Sequence, residues 1–200
     1  MTSVRGAIIA GGGATRFGGR PKGLELVAGV RILDRLVDAM VTAFGELPLL
    51  VANAPNAADW RPGLKVVADA VPGLGSLGGI HTAVCEAPAP VVIAAWDMPF
   101  VTAELLRELA AGLESADACL PASDGPRGVE PLCAAYGPAV RPAIEAALAR
   151  GDRRAVAFHD SIRVAILNGE KIRSLGDPGR LFFNVNTAQD LERANRMASA

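Results

Sequence analysis

A glycine-rich segment with three cationic side chains follows the first apolar run of the chain, residues 6–10. The residues of this segment that could act on an anion are Gly11, Gly12, Gly13, Arg16, Gly18, Gly19, Arg20 and Lys22. Because glycine tolerates backbone conformations that other residues avoid, such a turn can point several backbone N–H groups at one anion. The cations add positive charge at the same place, so the segment is suited to bind a triphosphate.

Two common phosphate-binding motifs do not fit this segment. The Walker A motif ends in Gly-Lys-Ser/Thr, whereas Lys22 lies between Pro21 and Gly23. The dinucleotide-binding fingerprint needs a third glycine where this chain has Arg16. An ordinary surface turn is the remaining alternative, but such turns rarely combine this many glycines with cations.

The rest of the chain alternates short apolar runs with helical patterns. Strands are predicted at residues 6–10, 47–53, 64–68, 90–96, 117–121, 131–136, 161–167 and 181–185. Helices are predicted over residues 31–44, 102–114, 138–150 and 187–198, with Thr102 as one N-cap and Thr187 with Asp190 as a capping box. This alternation predicts an α/β fold, Rossmann-like, with a mostly parallel sheet flanked by helices.

Length and composition place limits on the classes of protein. A length of 200 residues suits one domain over residues 1–200. The formal net charge of −1 gives no reason to expect a nucleic-acid partner. No apolar run approaches the ~20 residues of a membrane helix, and the N-terminus has no signal-peptide pattern, so a cytoplasmic protein is expected. The three cysteines and two histidines form no Cys-x-x-Cys or His-rich motif, so neither a zinc or redox motif nor a histidine-rich metal site is expected. The cysteines are therefore expected in or near the core.

Polar residues follow several predicted strands, where ligands bind in open α/β sheets. Asp97 ends the apolar run before it and could hold a hard cation against phosphates, or it could cap the next helix. Thr102 is better placed for capping, so metal binding is favoured. Asn53 and Asp69 each end a strand, and their residue types alone fit a ligand contact and a turn equally well. A second glycine loop, residues 72–79, leads into a helix and includes Gly75.

The first glycine segment resembles the signature of sugar- and cofactor-nucleotidyltransferases, Gly-Gly-x-x-x-Arg-x-Gly-x-x-x-Lys. The pair Gly18-Gly19 and the ending Lys22-Gly23-Leu24 resemble most closely the molybdenum cofactor guanylyltransferases. That family usually has Asp where this chain has Pro21, and typically His-Pro where it has Glu130-Pro131. The resemblance extends over nearly the whole chain, in the expected order, and implies the nucleotide-diphospho-sugar transferase type of fold.

The resemblance also assigns functions to residues in both halves of the chain. Residues 1–100, approximately, would bind the nucleotide, and residues 101–200 the acceptor. The nucleotide-binding residues implied are Ala10, Gly11, Gly12, Gly13, Lys22, Asn53, Asp69, Gly75 and Asp97, with Asp97 also binding Mg²⁺. The acceptor-binding residues implied are Arg153 and Arg154, in a Gly-Asp-Arg-Arg segment that resembles the family's Gly-Glu-Arg-Arg element, and Asn184 and Asn186, which match its Asn-x-Asn-Thr. Without the resemblance, the arginines could simply end a helix, and the two amides, on alternate positions of a strand, could cap it.

The implied reaction transfers GMP from GTP to the phosphate of molybdopterin and releases pyrophosphate. Lys22 and Arg16 would be the catalytic residues, stabilising charge on the phosphates. The alternatives are a related nucleotidyltransferase using CTP or a sugar-phosphate acceptor, and a non-catalytic protein that only binds nucleotide. Other molybdenum cofactor biosynthesis proteins or recipient molybdoenzymes are the partners that the resemblance implies.

Overall fold

The computed structural model describes residues 4–11, 21–71, 73–87, 89–125 and 127–199. Its strands are β1 (Arg5–Ala10), β2 (Leu26–Val27), β3 (Val30–Arg31), β4 (Leu49–Ala52), β5 (Lys65–Val67), β6 (Val91–Ala95), β7 (Ala118–Pro121), β8 (Cys133–Tyr136) and β9 (Val164–Leu167). Seven of them form one sheet in the order β5-β4-β1-β6-β8-β7-β9, and β2 pairs with β3 as a small hairpin. The expected α/β fold with a mostly parallel sheet is confirmed.

The described helices pack on both faces of this sheet. They are α1 (Ile32–Phe44), α2 (Gly75–Glu86), α3 (Ala103–Ala111), α4 (Arg141–Ala149), α5 (Gly169–Leu175), α6 (Pro178–Leu181) and α7 (Ala188–Ser199). Side chains of β1 alternate between two cores: Ile8 packs with α1, α3 and α7, whereas Ala7 and Ile9 pack with α2 and α4. None of these helices is long and apolar enough to cross a membrane.

The predicted helix caps are confirmed by their hydrogen bonds. The backbone N–H of Leu105 donates to Thr102 Oγ1 at 3.3 Å, at the start of α3. At the start of α7, the N–H of Asp190 donates to Thr187 Oγ1 at 3.1 Å, and the N–H of Thr187 donates to Asp190 Oδ2 at 2.8 Å. These reciprocal bonds satisfy backbone groups that a helix end leaves without partners.

One strand prediction was wrong, and one strand runs against the others. Residues 181–185 form no strand, because Asp177 and Pro178 start the short helix α6, with the N–H of Gly179 donating to Asp177 Oδ1 at 3.1 Å. The idea that Asn184 and Asn186 alternate on a strand is therefore also wrong. Strand β8 is antiparallel to β6 and β7, since the described residues between β7 and β8 form no helix to make a parallel crossover.

Candidate active site

A pocket of about 500 Å³ opens at the carboxyl ends of β1, β4 and β6. The predicted site residues that line it are Ala10, Gly11, Asn53, Asp69, Gly75, Asp97 and Asn184. Because β8 is antiparallel, the residues that precede it, Glu130, Pro131 and Leu132, reach the same edge of the sheet. The tertiary structure thus brings residues from both halves of the chain to one cavity.

Asn53 and Asp69 form a reciprocal pair at one end of this pocket. The Nδ2 amide of Asn53 donates to Asp69 Oδ2 at 2.7 Å, and the backbone N–H of Asp69 donates to Asn53 Oδ1 at 2.8 Å. Their strands, β4 and β5, are parallel neighbours, so both residues emerge at the same edge. Among the described residues, Asp69 Oδ1 accepts no hydrogen bond from another side chain, which leaves it available to a ligand.

Asp97 follows β6 and has a carboxylate oxygen without a partner. Its side chain is 17% exposed, and Oδ1 is buried with no hydrogen-bond partner among the described residues. Burial raises the pKa of Asp97 above its ordinary value, and the nearby Lys22 ammonium offsets this rise only in part. Since Thr102 caps α3, capping does not account for Asp97. An unpartnered carboxylate oxygen in the wall of this pocket fits a hard divalent cation.

Lys22 lies in a short 3₁₀ turn, Lys22–Leu24, and is held beside Asp97. Its side chain is 12% exposed, and Nζ lies 3.9 Å from Asp97 Oδ2. Nζ also donates to Asn186 Oδ1 at 2.7 Å. The backbone N–H of Asn186 donates in turn to Asp190 Oδ2 at 3.0 Å. The start of α7 therefore orients the amide that holds the lysine.

Gly23 packs directly against the indole ring of Trp96. A Cβ at this position would lie 2.6 Å from Trp96 Cε3, closer than any side chain can approach. The indole cannot retreat freely, because it is buried and stacks on Trp60 with 5.1 Å between the ring centroids. The absence of a side chain at Gly23 thus sets how near the Lys22 turn comes to the pocket wall.

The contact between Gly23 and Trp96 leads to a testable prediction. Gly23→Ala should destabilise the protein by about 1–3 kcal/mol through overpacking. It should also lower kcat, because the turn that carries Lys22 must move. Thermal unfolding and steady-state kinetics measure the two effects. The control is Gly179→Ala, whose Cβ would meet no atom closer than 3.5 Å. Equal stability and kcat in the two variants would contradict the positioning role of Gly23.

Several predicted residues lie elsewhere or outside the described part of the chain. Gly12, Gly13 and Arg16 lie outside the described residues. Arg153 Nη1 donates to the carbonyl of Gly73, in the second glycine loop, at 3.2 Å. Arg154 pairs with Asp152 at 2.6 Å and is exposed. The acceptor-binding roles assigned to both arginines stay predictions.

Two charged residues of the pocket wall were not among the predicted binding residues. Glu130 is half-buried, and the Ser123 hydroxyl donates to its Oε1 at 3.1 Å. Burial raises the pKa of Glu130 above its ordinary value, and the Ser123 hydroxyl and the Arg127 guanidinium offset this rise only in part. Arg127 also lines the pocket. The loop of residues 121–130 is rich in proline and glycine, and its single arginine is the signal that could have identified Arg127.

A family model, two relatives and one solved structure indicate the same family. A family model described as a MobA-like NTP transferase domain matches residues 6–163. The probable molybdenum cofactor guanylyltransferase of Pelotomaculum thermopropionicum is 34% identical over 99% of this chain and 95% of its own length. The molybdenum cofactor guanylyltransferase of Desulfosudis oleivorans is 30% identical over 100% of this chain and 98% of its own length. The crystal structure of molybdopterin-guanine dinucleotide biosynthesis protein A from Archaeoglobus fulgidus has a TM-score of 0.81 at 28% identity, covering 98% of each chain.

Proposed function

This chain belongs to the molybdenum cofactor guanylyltransferase family of MobA-like NTP transferases, and on that premise we propose that it transfers GMP from GTP to the phosphate of molybdopterin. An acceptor phosphate oxygen attacks the α-phosphorus, and the bond from that phosphorus to the β-phosphate oxygen breaks to release pyrophosphate. The observation that carries the proposal is the position of Lys22 and Asp97, 3.9 Å apart, beside a pocket whose other end holds the Asn53–Asp69 pair.

Lys22 is the residue proposed to stabilise charge on the α-phosphate. No protein nucleophile is needed, because the acceptor phosphate is already ionised, so catalysis consists of positioning and charge stabilisation. Asn186 fixes the ammonium through its 2.7 Å bond and thereby reduces the reorganisation that the reaction requires. Arg16 and the backbone of residues 10–13 are proposed to hold the β- and γ-phosphates.

Asp97 is proposed to hold a divalent cation, Mg²⁺. When bound, such a cation neutralises phosphate charge and supports departure of pyrophosphate. The support for this role is the unpartnered Oδ1 of Asp97 in the pocket wall. Burial raises the pKa of Asp97, and Lys22, beside the other carboxylate oxygen, opposes this rise and so favours the ionised form.

The two halves of the chain are proposed to serve the two substrates within a single domain, residues 1–200. Asn53, Asp69 and Gly75 would contact the guanosine of GTP. Arg153, Arg154, Asn184 and Asn186 would contact molybdopterin, with Glu130 on the same side. The cytoplasmic location and the partner proteins expected from the sequence stay predictions.

The direct test is pyrophosphate release from each of the four ribonucleoside triphosphates, with Mg²⁺ and purified molybdopterin. Release with GTP alone is the expected result. Release with CTP instead would keep the chemistry and overturn the choice of guanine. Nucleotide binding without any release would favour the non-catalytic alternative.

Asp69 offers a separate test of the nucleotide side of the pocket. We expect Asp69→Ala to raise KM for GTP about 10-fold or more, because a hydrogen bond to a charged group contributes about 1.5–3 kcal/mol. The value of kcat should change less, since Asp69 lies away from the Lys22–Asp97 pair. Asp59→Ala, an exposed aspartate in a neighbouring turn, is the control. An unchanged KM with lowered thermal stability would assign Asp69 a purely structural role.

A further inference from the structure

A second group of potential metal ligands lies outside the pocket, between α2 and α4. His81 and Cys85 are four residues apart on α2, and therefore on one face of the helix. Cys85 Sγ lies 3.4 Å from His81 Nε2, and Glu145 Oε1, on α4, lies 3.5 Å from the same nitrogen. The three ligand atoms all lie within 4.8 Å of one another.

A hydrogen-bond relay does not account for this arrangement. In a relay through histidine, the thiol and the carboxylate contact different ring nitrogens. Here both contact Nε2, so the thiol and the carboxylate do not lie on opposite sides of the imidazole ring. His81 Nδ1 is buried and has no partner among the described residues. The three side chains therefore converge on one point instead of forming a chain.

Two of the three separations between the ligand atoms match the edges of a tetrahedral metal site. Zinc binds sulfur at about 2.3 Å and nitrogen or oxygen at about 2.0–2.2 Å, which places neighbouring ligand atoms roughly 3.4–3.6 Å apart. The two measured contacts to Nε2, 3.4 and 3.5 Å, lie at this spacing. Glu145 is 46% exposed, so a small rotation can bring its carboxylate toward Cys85.

We propose that His81, Cys85 and Glu145 form a site for a transition metal of the Zn²⁺ class, with water in the fourth position. Thiolate and imidazole select such a metal over Mg²⁺, which prefers oxygen ligands. Binding releases the thiol proton of Cys85 to solvent. The Arg141 guanidinium, which donates to Glu145 Oε1 at 2.7 Å, must move to the other carboxylate oxygen. The metal would join α4 to α2, the helix whose first residue, Gly75, lines the nucleotide pocket.

The experiment is a titration of the purified full-length protein with Co²⁺, followed by displacement with Zn²⁺. A cobalt–thiolate charge-transfer band in the near ultraviolet and tetrahedral bands in the visible are expected. A cation at Asp97 produces no such charge-transfer band, because no cysteine lines that pocket among the described residues. Cys119 and Cys133 are 2% and 0% exposed, so they do not contribute in the folded protein.

Substitutions of the three residues test whether they are the ligands that give the cobalt spectrum. Cys85→Ser should abolish the charge-transfer band. His81→Ala should weaken Zn²⁺ affinity at least about 100-fold, because mutation of a residue that only hydrogen-bonds to a metal ligand already lowers metal affinity about 10- to 100-fold. Glu145→Gln should weaken it as well, whereas Glu104→Gln, an exposed carboxylate on α3, should not. Circular dichroism confirms that each variant is folded. A missing band in the unaltered protein, or a band that persists in Cys85→Ser, would overturn the proposal.

Discussion

Lys22→Ala is expected to lower kcat by about 10²- to 10³-fold, the loss seen when one preorganised stabiliser of transition-state charge is removed. The ammonium lies beside Asp97 and is fixed by Asn186, so its position requires little adjustment during the reaction. The fold should be affected far less, because the side chain belongs to neither apolar core. Pyrophosphate release under saturating GTP and molybdopterin measures the effect.

Lys65→Ala is the matched control for this experiment. Lys65 is a 55% exposed lysine that pairs with Glu86 at 2.8 Å, away from the pocket lining. Its replacement removes the same charge from the surface and should leave kcat nearly unchanged. A Lys22→Ala protein with normal turnover and saturable GTP binding would refute the role of Lys22.

Asp97→Asn is expected to lower kcat by at least about 10²-fold and, at the same time, to raise thermal stability. The loss of activity follows from weaker cation binding, since an amide oxygen carries no charge. The gain in stability follows from burial, which penalises the ionised carboxylate and raises its pKa even though Lys22 is near. The amide avoids that penalty at neutral pH. Cation titration, kcat and the melting temperature are measured on the same preparation.

Asp117→Asn serves as a control in which the expected change in thermal stability has the opposite sign. Asp117 bonds to Arg163 at 2.8 Å, and this partner lowers the pKa of the carboxyl group. A lowered pKa stabilises the fold at neutral pH, and that stabilisation is lost as the pH falls through the folded-state value. Asp117→Asn should therefore reduce the melting temperature at pH 7 and leave kcat unchanged. An Asp97→Asn protein that is less stable and still active would contradict both parts of the prediction.

The sequence alone predicted the features that depend on local pattern. Apolar periodicity predicted the strands of the seven-stranded sheet and, wrongly, a further strand at residues 181–185. Helix-capping preferences predicted the Thr102 cap and the Thr187–Asp190 capping box. The rule that ligands bind beyond the carboxyl ends of parallel strands predicted that Asn53, Asp69 and Asp97 lie at one edge of the sheet, and the structure places them there. These inferences succeed because side-chain periodicity and helix capping are properties of short segments.

Only the tertiary structure decided which distant segments meet. The bond between Lys22 and Asn186 spans 164 positions, and the convergence of Glu145 with His81 and Cys85 joins two helices that are not adjacent in the chain. The contact of Gly23 with Trp96 likewise depends on how a turn packs against the end of β6. A local pattern determines which face of an element is apolar, but it does not specify the partner that covers that face. That choice depends on the packing of the whole chain, and in this protein the packing sets the positions of the proposed catalytic lysine and the proposed zinc ligands.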